Sequence, residues 1–133
     1  MSCSGGEAAL VADLAEGLDI QFPSLTGPQQ EAIGETLSDL VSISNPLDYH
    51  TFIWNDEERL YTTYRAMLEC AFDISLLVLD FPREDRCTLE TWQPALSAIH
   101  RAAKATGRKV AVLSTLPENQ PEWAAETFMA RGI

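Results

Sequence analysis

Cys3-Ser4-Gly5-Gly6-Glu7 sets two glycines between a serine and an acid, just ahead of a run with helical spacing. A helix starting there exposes free backbone N–H groups and the positive end of its dipole, and glycines let an anion approach both. Ser4, Gly5, Gly6 and the Glu7 amide are therefore a candidate phosphate-binding turn. The plainer alternative is that Ser4 only caps the helix. A second constellation is Asn45-Pro46-Leu47-Asp48-Tyr49-His50. Asn45 and Asp48 bracket a proline and suit side-chain to backbone bonds that hold a loop. His50 is a residue type that serves as a nucleophile near neutral pH. Asn45, Asp48 and His50 are candidate site-lining residues.

Charge narrows the chemistry. With 9 basic and 20 acidic residues in 133, the net charge is −11. That balance opposes nucleic acid and anionic membrane, which need clustered Lys and Arg, so an anionic ligand has to be held locally. Cys3, Cys70 and Cys87 are odd in number and lack CxxC or His-rich company, which predicts reduced thiols and no metal site. No apolar run approaches a membrane span and no signal peptide is evident, so the expectation is a cytoplasmic protein.

The elements that must position these residues follow from periodicity. Leu10, Val11 and Leu14 share one helical face in Glu7–Glu16, and Gly17 supplies a stop. A proline-rich connector leads to a helix capped at Thr26 or Gly27, with Pro28 in its first turn, predicted to run to about Leu40 with Ala32, Ile33, Leu37 and Leu40 buried. Residues 41–56 read as a short strand and an ordered loop. Leu60, Tyr64, Met67 and Leu68 then mark a helix from Asp56. The apolar runs Ile74–Phe81 and Lys109–Leu116 have the character of strands buried on both faces of a parallel sheet. Between them Trp92, Leu96, Ile99 and Ala103 mark a helix ended by Gly107. Pro121 and Glu122 open a last helix, in which Trp123, Thr127 and Met129 compete with Ala124, Ala125 and Phe128 for the inner face. The order predicts one three-layer α/β domain over 1–133, flavodoxin-like or Rossmann-like, with a parallel sheet. A strand would normally feed the Ser-Gly-Gly turn and another would follow Gly132-Ile133, so the expectation is an excised piece of a longer protein.

With Ser4-Gly5-Gly6 at a helix start and Asn45 through His50 ahead of two buried strands, the chain resembles the succinyl-CoA-ligase-like flavodoxin domain of the NDP-forming acyl-CoA synthetases. Acetate–CoA ligase (ADP-forming) is the type activity of that family. The resemblance implies a multidomain enzyme that interconverts acyl-CoA, ADP and phosphate with acid, CoA and ATP. It implies CoA, ADP/ATP and Mg for the whole enzyme and no cofactor bound by this domain alone. Its partners would be CoA-binding, phosphohistidine and ATP-grasp domains. Helix amino ends in such enzymes face a phosphohistidine, and the match puts Ser4, Gly5, Gly6 and Glu7 on one of them. The carrier lies in a separate domain, in a Ser/Ala-His-Thr motif that this chain lacks. The resemblance thus leaves His50 a supporting role and no catalytic residue in this chain.

The alternative is a stand-alone anion-binding or receiver-like signalling module. Asp80 ends a buried run where receiver aspartates sit, but Ser114-Thr115-Leu116-Pro117-Glu118 offers no lysine of the kind a receiver needs. Arg83, Glu84 and Asp85 read as a solvated turn, His100 as surface, and Tyr61, Tyr64 and Trp92 as core.

Overall fold

The computed structural model describes residues 1–133. Its helices are α1 (Gly5–Ala15), α2 (Gly27–Gly34), α3 (Glu57–Glu69), α4 (Gln93–Thr106) and α5 (Glu122–Ala130). Strands β1 (Ser75–Val78) and β2 (Val110–Leu113) pair in parallel, Ser75 opposite Val110 and Val78 opposite Leu113. Two further segments extend this ladder without forming full strands. Met1 N donates to Leu76 O and Val78 N to Met1 O, while Ser2 N donates to Leu47 O and Tyr49 N to Ser2 O. Residues 1–3 therefore lie between the 47–49 segment and β1, and the parallel order across the sheet is 47–49, 1–3, β1, β2. This is a flavodoxin/Rossmann-like α/β arrangement.

The two faces of the sheet are covered unequally. Alternation puts Leu77 and Leu79 on one face, where they join a core with Leu60, Tyr64, Met67 and Leu68 of α3 and Leu96 and Ile99 of α4. Each such fully buried side chain contributes about 1.5–3 kcal/mol. α4 stops where Gly107 takes the left-handed conformation, φ +65. The competition within α5 resolves for Ala124 and Phe128, which are buried, whereas Met129 is exposed. Leu76 and Val78 point to the opposite face, toward Ala8 and Val11 of α1.

Several elements differ from the sequence expectation. α1 starts at Gly5, so both glycines belong to its first turn, and of its residues only Ala15 is buried. Leu10 and Leu14 are exposed. α2 ends at Gly34 rather than near Leu40, and Leu40 is 79% exposed. Beyond Ile33 the chain tightens: Thr36 N and Thr36 Oγ1 both donate to Ile33 O, and Leu37 N donates to Gly34 O. These short-range bonds replace the next α-helical turn. The short strand expected within 41–56 is reduced to one bridge at Asp48. Trp92 closes a 3₁₀ turn, Glu90–Trp92, ahead of α4 rather than lying within it. Tyr64 is core, while Tyr61 and Trp92 are half-buried, as is His100. No helix is long and apolar enough to cross a membrane.

Candidate functional site

The turn and the loop singled out in the sequence meet at the carboxyl end of the sheet. Ser2 leads directly from its bridge with Asp48 into the amino end of α1, so strand pairing alone brings Gly5 beside the 48–50 loop. A Cβ on Gly5 would lie 3.1 Å from Asp48 Oδ2. Ser4 occupies the N-cap position with extended backbone, but its side chain makes no capping bond. Ser4 N donates to Ser2 Oγ at 3.0 Å and Ala8 N to Ser4 O at 3.1 Å. The amides of Gly5, Gly6 and Glu7 have no protein acceptor. Three N–H groups at the positive end of an 11-residue helix are thus available to an outside anion.

Acidic groups crowd the same end. The Ser2 hydroxyl donates to the Glu7 carboxylate, which turns that side chain back along the chain. Asp48 Oδ1 accepts from His50 N at 2.9 Å, and Asp48 Oδ2 lies 3.5 Å from His50 Nε2. His50 has φ 59, stacks on Phe52 with ring centroids 5.4 Å apart, and is half-exposed. Cys3 registers the local field: burial, then Glu7, with Asp48 and Asp80 adding, pushes its thiol up to about 11. Asn45 does not join this cluster. It donates to Pro23 O at 3.0 Å and lines a hollow beneath α1, so it tethers loops instead of facing the amides.

Sequence reasoning did not anticipate a cleft of about 380 Å³ next to the turn, walled by Cys3, Glu7, Trp54, Asn55, Asp80 and Trp92. It opens between residues 1–3 and β1, whose crossovers leave toward opposite faces, the place where open parallel sheets bind ligands. The rule that strand carboxyl ends carry ligand sites was the available signal. Asp80 itself is fully engaged: Oδ1 accepts from Thr115 N at 2.7 Å and Oδ2 from the Thr115 hydroxyl. The Trp92 indole donates to Asp80 O at 2.8 Å and packs edge-on against Trp54. Among the groups around this cleft no Lys or Arg is present, and no cluster of His, Cys, Asp or Glu is arranged to hold a metal ion.

No protein-family model matches the chain, and no curated protein matches it. Among solved structures, the crystal structure of PH0766 from Pyrococcus horikoshii OT3 is similar, with a TM-score of 0.76 at 22% sequence identity. The match covers 100% of this chain and 30% of that one, so the chain spans under a third of the length of the solved protein it resembles. At this identity the likeness shows the fold alone, a Rossmann-like α/β domain.

Proposed function

We infer that this chain is a non-carrier, flavodoxin-like domain of an NDP-forming acyl-CoA synthetase, in which the Ser4–Glu7 turn helps bind the phosphate of a phosphohistidine supplied by another domain. The observation that carries the reading is the set of unpaired Gly5, Gly6 and Glu7 amides at the start of α1, against the Asp48–His50 loop. Oriented amides and a helix dipole stabilise a phosphoryl dianion without any net positive charge on the domain. The neighbouring carboxylates of Glu7 and Asp48 oppose free phosphate, so useful affinity needs cationic groups or Mg brought by the CoA-binding, phosphohistidine and ATP-grasp domains. Asp48 and His50 act as the wall of the site. Asn45 holds the loop behind it.

The test compares rate with stability. In an enzyme assembled with its partner domains, Gly6→Val is expected to slow histidine phosphorylation at least 100-fold at near-normal thermal stability. A Cβ at Gly6 meets only Ser4 Oγ, at 3.6 Å, so the helix tolerates it. Valine keeps the backbone N–H but its side chain stands in the way of the anion; a lost contact between one donor and a transition-state anion costs about 3 kcal/mol, whereas losing a cap costs about 1 kcal/mol of stability and nothing in rate. Full turnover in Gly6→Val would reduce the turn to a helix start.

A further inference from the structure

We propose that the cleft beside the Ser4–Glu7 turn is a binding site for a guanidinium group, stacked on an indole ring and paired with the Glu7 carboxylate. The cleft measures about 380 Å³ and reaches Val78 and Leu79 at the carboxyl end of β1. Trp54 and Trp92 are the largest side chains of its wall, and both are half-buried. They meet edge-on, with centroids 5.6 Å apart and planes at 83°. The bond from the Trp92 indole to Asp80 O fixes one ring of the pair. In an edge-to-face pair each ring covers at most one face of the other, so flat aromatic surface is left for a ligand.

Charge decides which ligand that surface takes. Glu7 and Asp80 line the cleft and no Lys or Arg does. The amino end of α1 opposes a cation with about half a positive charge, less than the two carboxylates supply. Cys3 lines the same cleft, and its thiol is raised first by burial and then by Glu7, with Asp48 and Asp80 adding. Ring faces attract cations in the same way. Three polar groups of the wall have no protein partner: Oε1 of Glu7, whose other oxygen takes the Ser2 hydroxyl, the Asn55 amide and the Thr51 hydroxyl. Asp80 acts through its field, since both its oxygens already accept from Thr115. A guanidinium matches this set because it is planar, stacks on an aromatic face and carries five donors in a fixed fork. An ammonium is compact and more strongly hydrated, so it gains less from the rings. The proposal does not rest on the phosphate reading. An arginine seated here would nevertheless bring positive charge beside the Gly5–Glu7 amides, where Glu7 and Asp48 otherwise oppose an anion.

A guanidinium has two sources, a free metabolite or an arginine side chain of a protein. The probes are L-arginine and acetyl-Gly-Arg-Gly amide, which carry the same net charge, titrated into the chain and followed by its indole N–H signals in ¹⁵N NMR. Both are expected to move Trp54 and Trp92 and to leave Trp123, outside the cleft, in place. Tighter binding of L-arginine assigns the cleft to a free metabolite, and tighter binding of the peptide to a protein arginine. Peptides with lysine, which keeps the charge, or citrulline, which keeps the plane, are expected to bind at least fivefold more weakly, the size of one exposed cation–π contact. Glu7→Gln keeps the shape of the side chain and is expected to weaken the arginine probe at least fivefold at unchanged Tm, and Trp54→Leu is expected to weaken it as much. No movement of either cleft indole, equal binding of the lysine or citrulline peptide, or full binding by Glu7→Gln would each overturn the proposal. None of these outcomes bears on the rate of Gly6→Val, so the phosphate reading stands or falls separately.

Discussion

The site a Cβ of Gly5 would occupy is 3.1 Å from Asp48 Oδ2, whereas a Cβ on Gly6 would make only an ordinary contact. The two adjacent glycines therefore have different physical roles. Gly6→Ala is expected to stabilise the fold by about 0.5–1 kcal/mol, because glycine in a helix costs that much relative to alanine. Gly5→Ala gains the same propensity but must push the Asp48 carboxylate aside, so it is expected to be neutral or destabilising. Combining Gly5→Ala with Asp48→Ala removes the obstruction and should recover the gain. Urea unfolding of these three variants and of Asp48→Ala alone measures this. Equal stabilisation by both single alanines would remove Asp48 from the helix start.

Tyr49 pins the loop that carries Asp48 and His50. Its hydroxyl accepts from Tyr64 at 2.8 Å, both rings are fully buried, and they meet edge-on at 5.4 Å. Tyr49→Phe leaves the Tyr64 hydroxyl without its acceptor and is expected to cost about 1–3 kcal/mol, while the double phenylalanine variant should cost less than the single changes summed. Strict additivity in that cycle would show that the hydroxyl pair contributes nothing as a pair. Burial also raises both phenols, with Tyr49 well above its ordinary value of 10.0. Because the folded values lie above the unfolded ones, this contribution is complete below pH 10 and is lost as pH rises beyond it. Stability should therefore fall steeply above pH 10, and less steeply in the double phenylalanine variant.

Much of this arrangement was legible from periodicity, and the exceptions have identifiable causes. The runs around Leu77 and Val110 read correctly as parallel strands because they are largely apolar, but burial on both faces is not what the structure shows: the strands are four residues each, and Ile74, Leu113 and Leu116 are exposed. The Ser-Gly-Gly turn was legible as a helix start. Which face of α1 is buried was not, since Leu10 and Leu14 carry a helical period yet remain exposed on a thinly covered sheet face. α2 failed differently: Ala32, Ile33 and Leu37 keep helical spacing, but Gly34 and the Thr36 hydroxyl favour a tightened turn. The meeting of Gly5 with Asp48 depends on pairing between residues separated by 43 positions in sequence, through the Ser2 bridge. Local pattern does not encode such pairing. The Asp80–Thr115 bonds were hidden for the same reason.

The thiols should react in an order set by burial and charge. Cys87 is exposed, whereas Cys3 is half-buried and raised to about 11, first by burial and then by Glu7. Alkylation by iodoacetamide at pH 8 is expected to modify Cys87 first and Cys3 last, because the thiolate is the reacting form. Glu7→Gln should speed Cys3 modification only modestly, since burial is the larger cause. Mass spectrometry of tryptic peptides reads the order. Rapid labelling of Cys3 would mean that burial does not shield its thiol.

Acyl phosphates should leave no phosphoryl group on this chain. Asp80 sits where a receiver domain accepts phosphate, but both its oxygens are bonded to Thr115, and no lysine lines the adjoining cleft to neutralise a phosphoryl dianion. His50 is more accessible, yet its Nε2 faces Asp48 Oδ2 at 3.5 Å, and the carboxylates of Asp48 and Glu7 repel an incoming phosphate. Incubation with acetyl phosphate and Mg, or with ATP and Mg, followed by intact mass under neutral conditions, is expected to show no added phosphoryl mass. Thr115→Ala frees one oxygen of Asp80 but supplies no cation, so it too should stay unmodified. Label abolished by Asp80→Asn would make the receiver-like module the better reading. Label abolished by His50→Ala would move the carrier role onto this domain, and the amides of Gly5, Gly6 and Glu7 would then serve a phosphohistidine of their own chain.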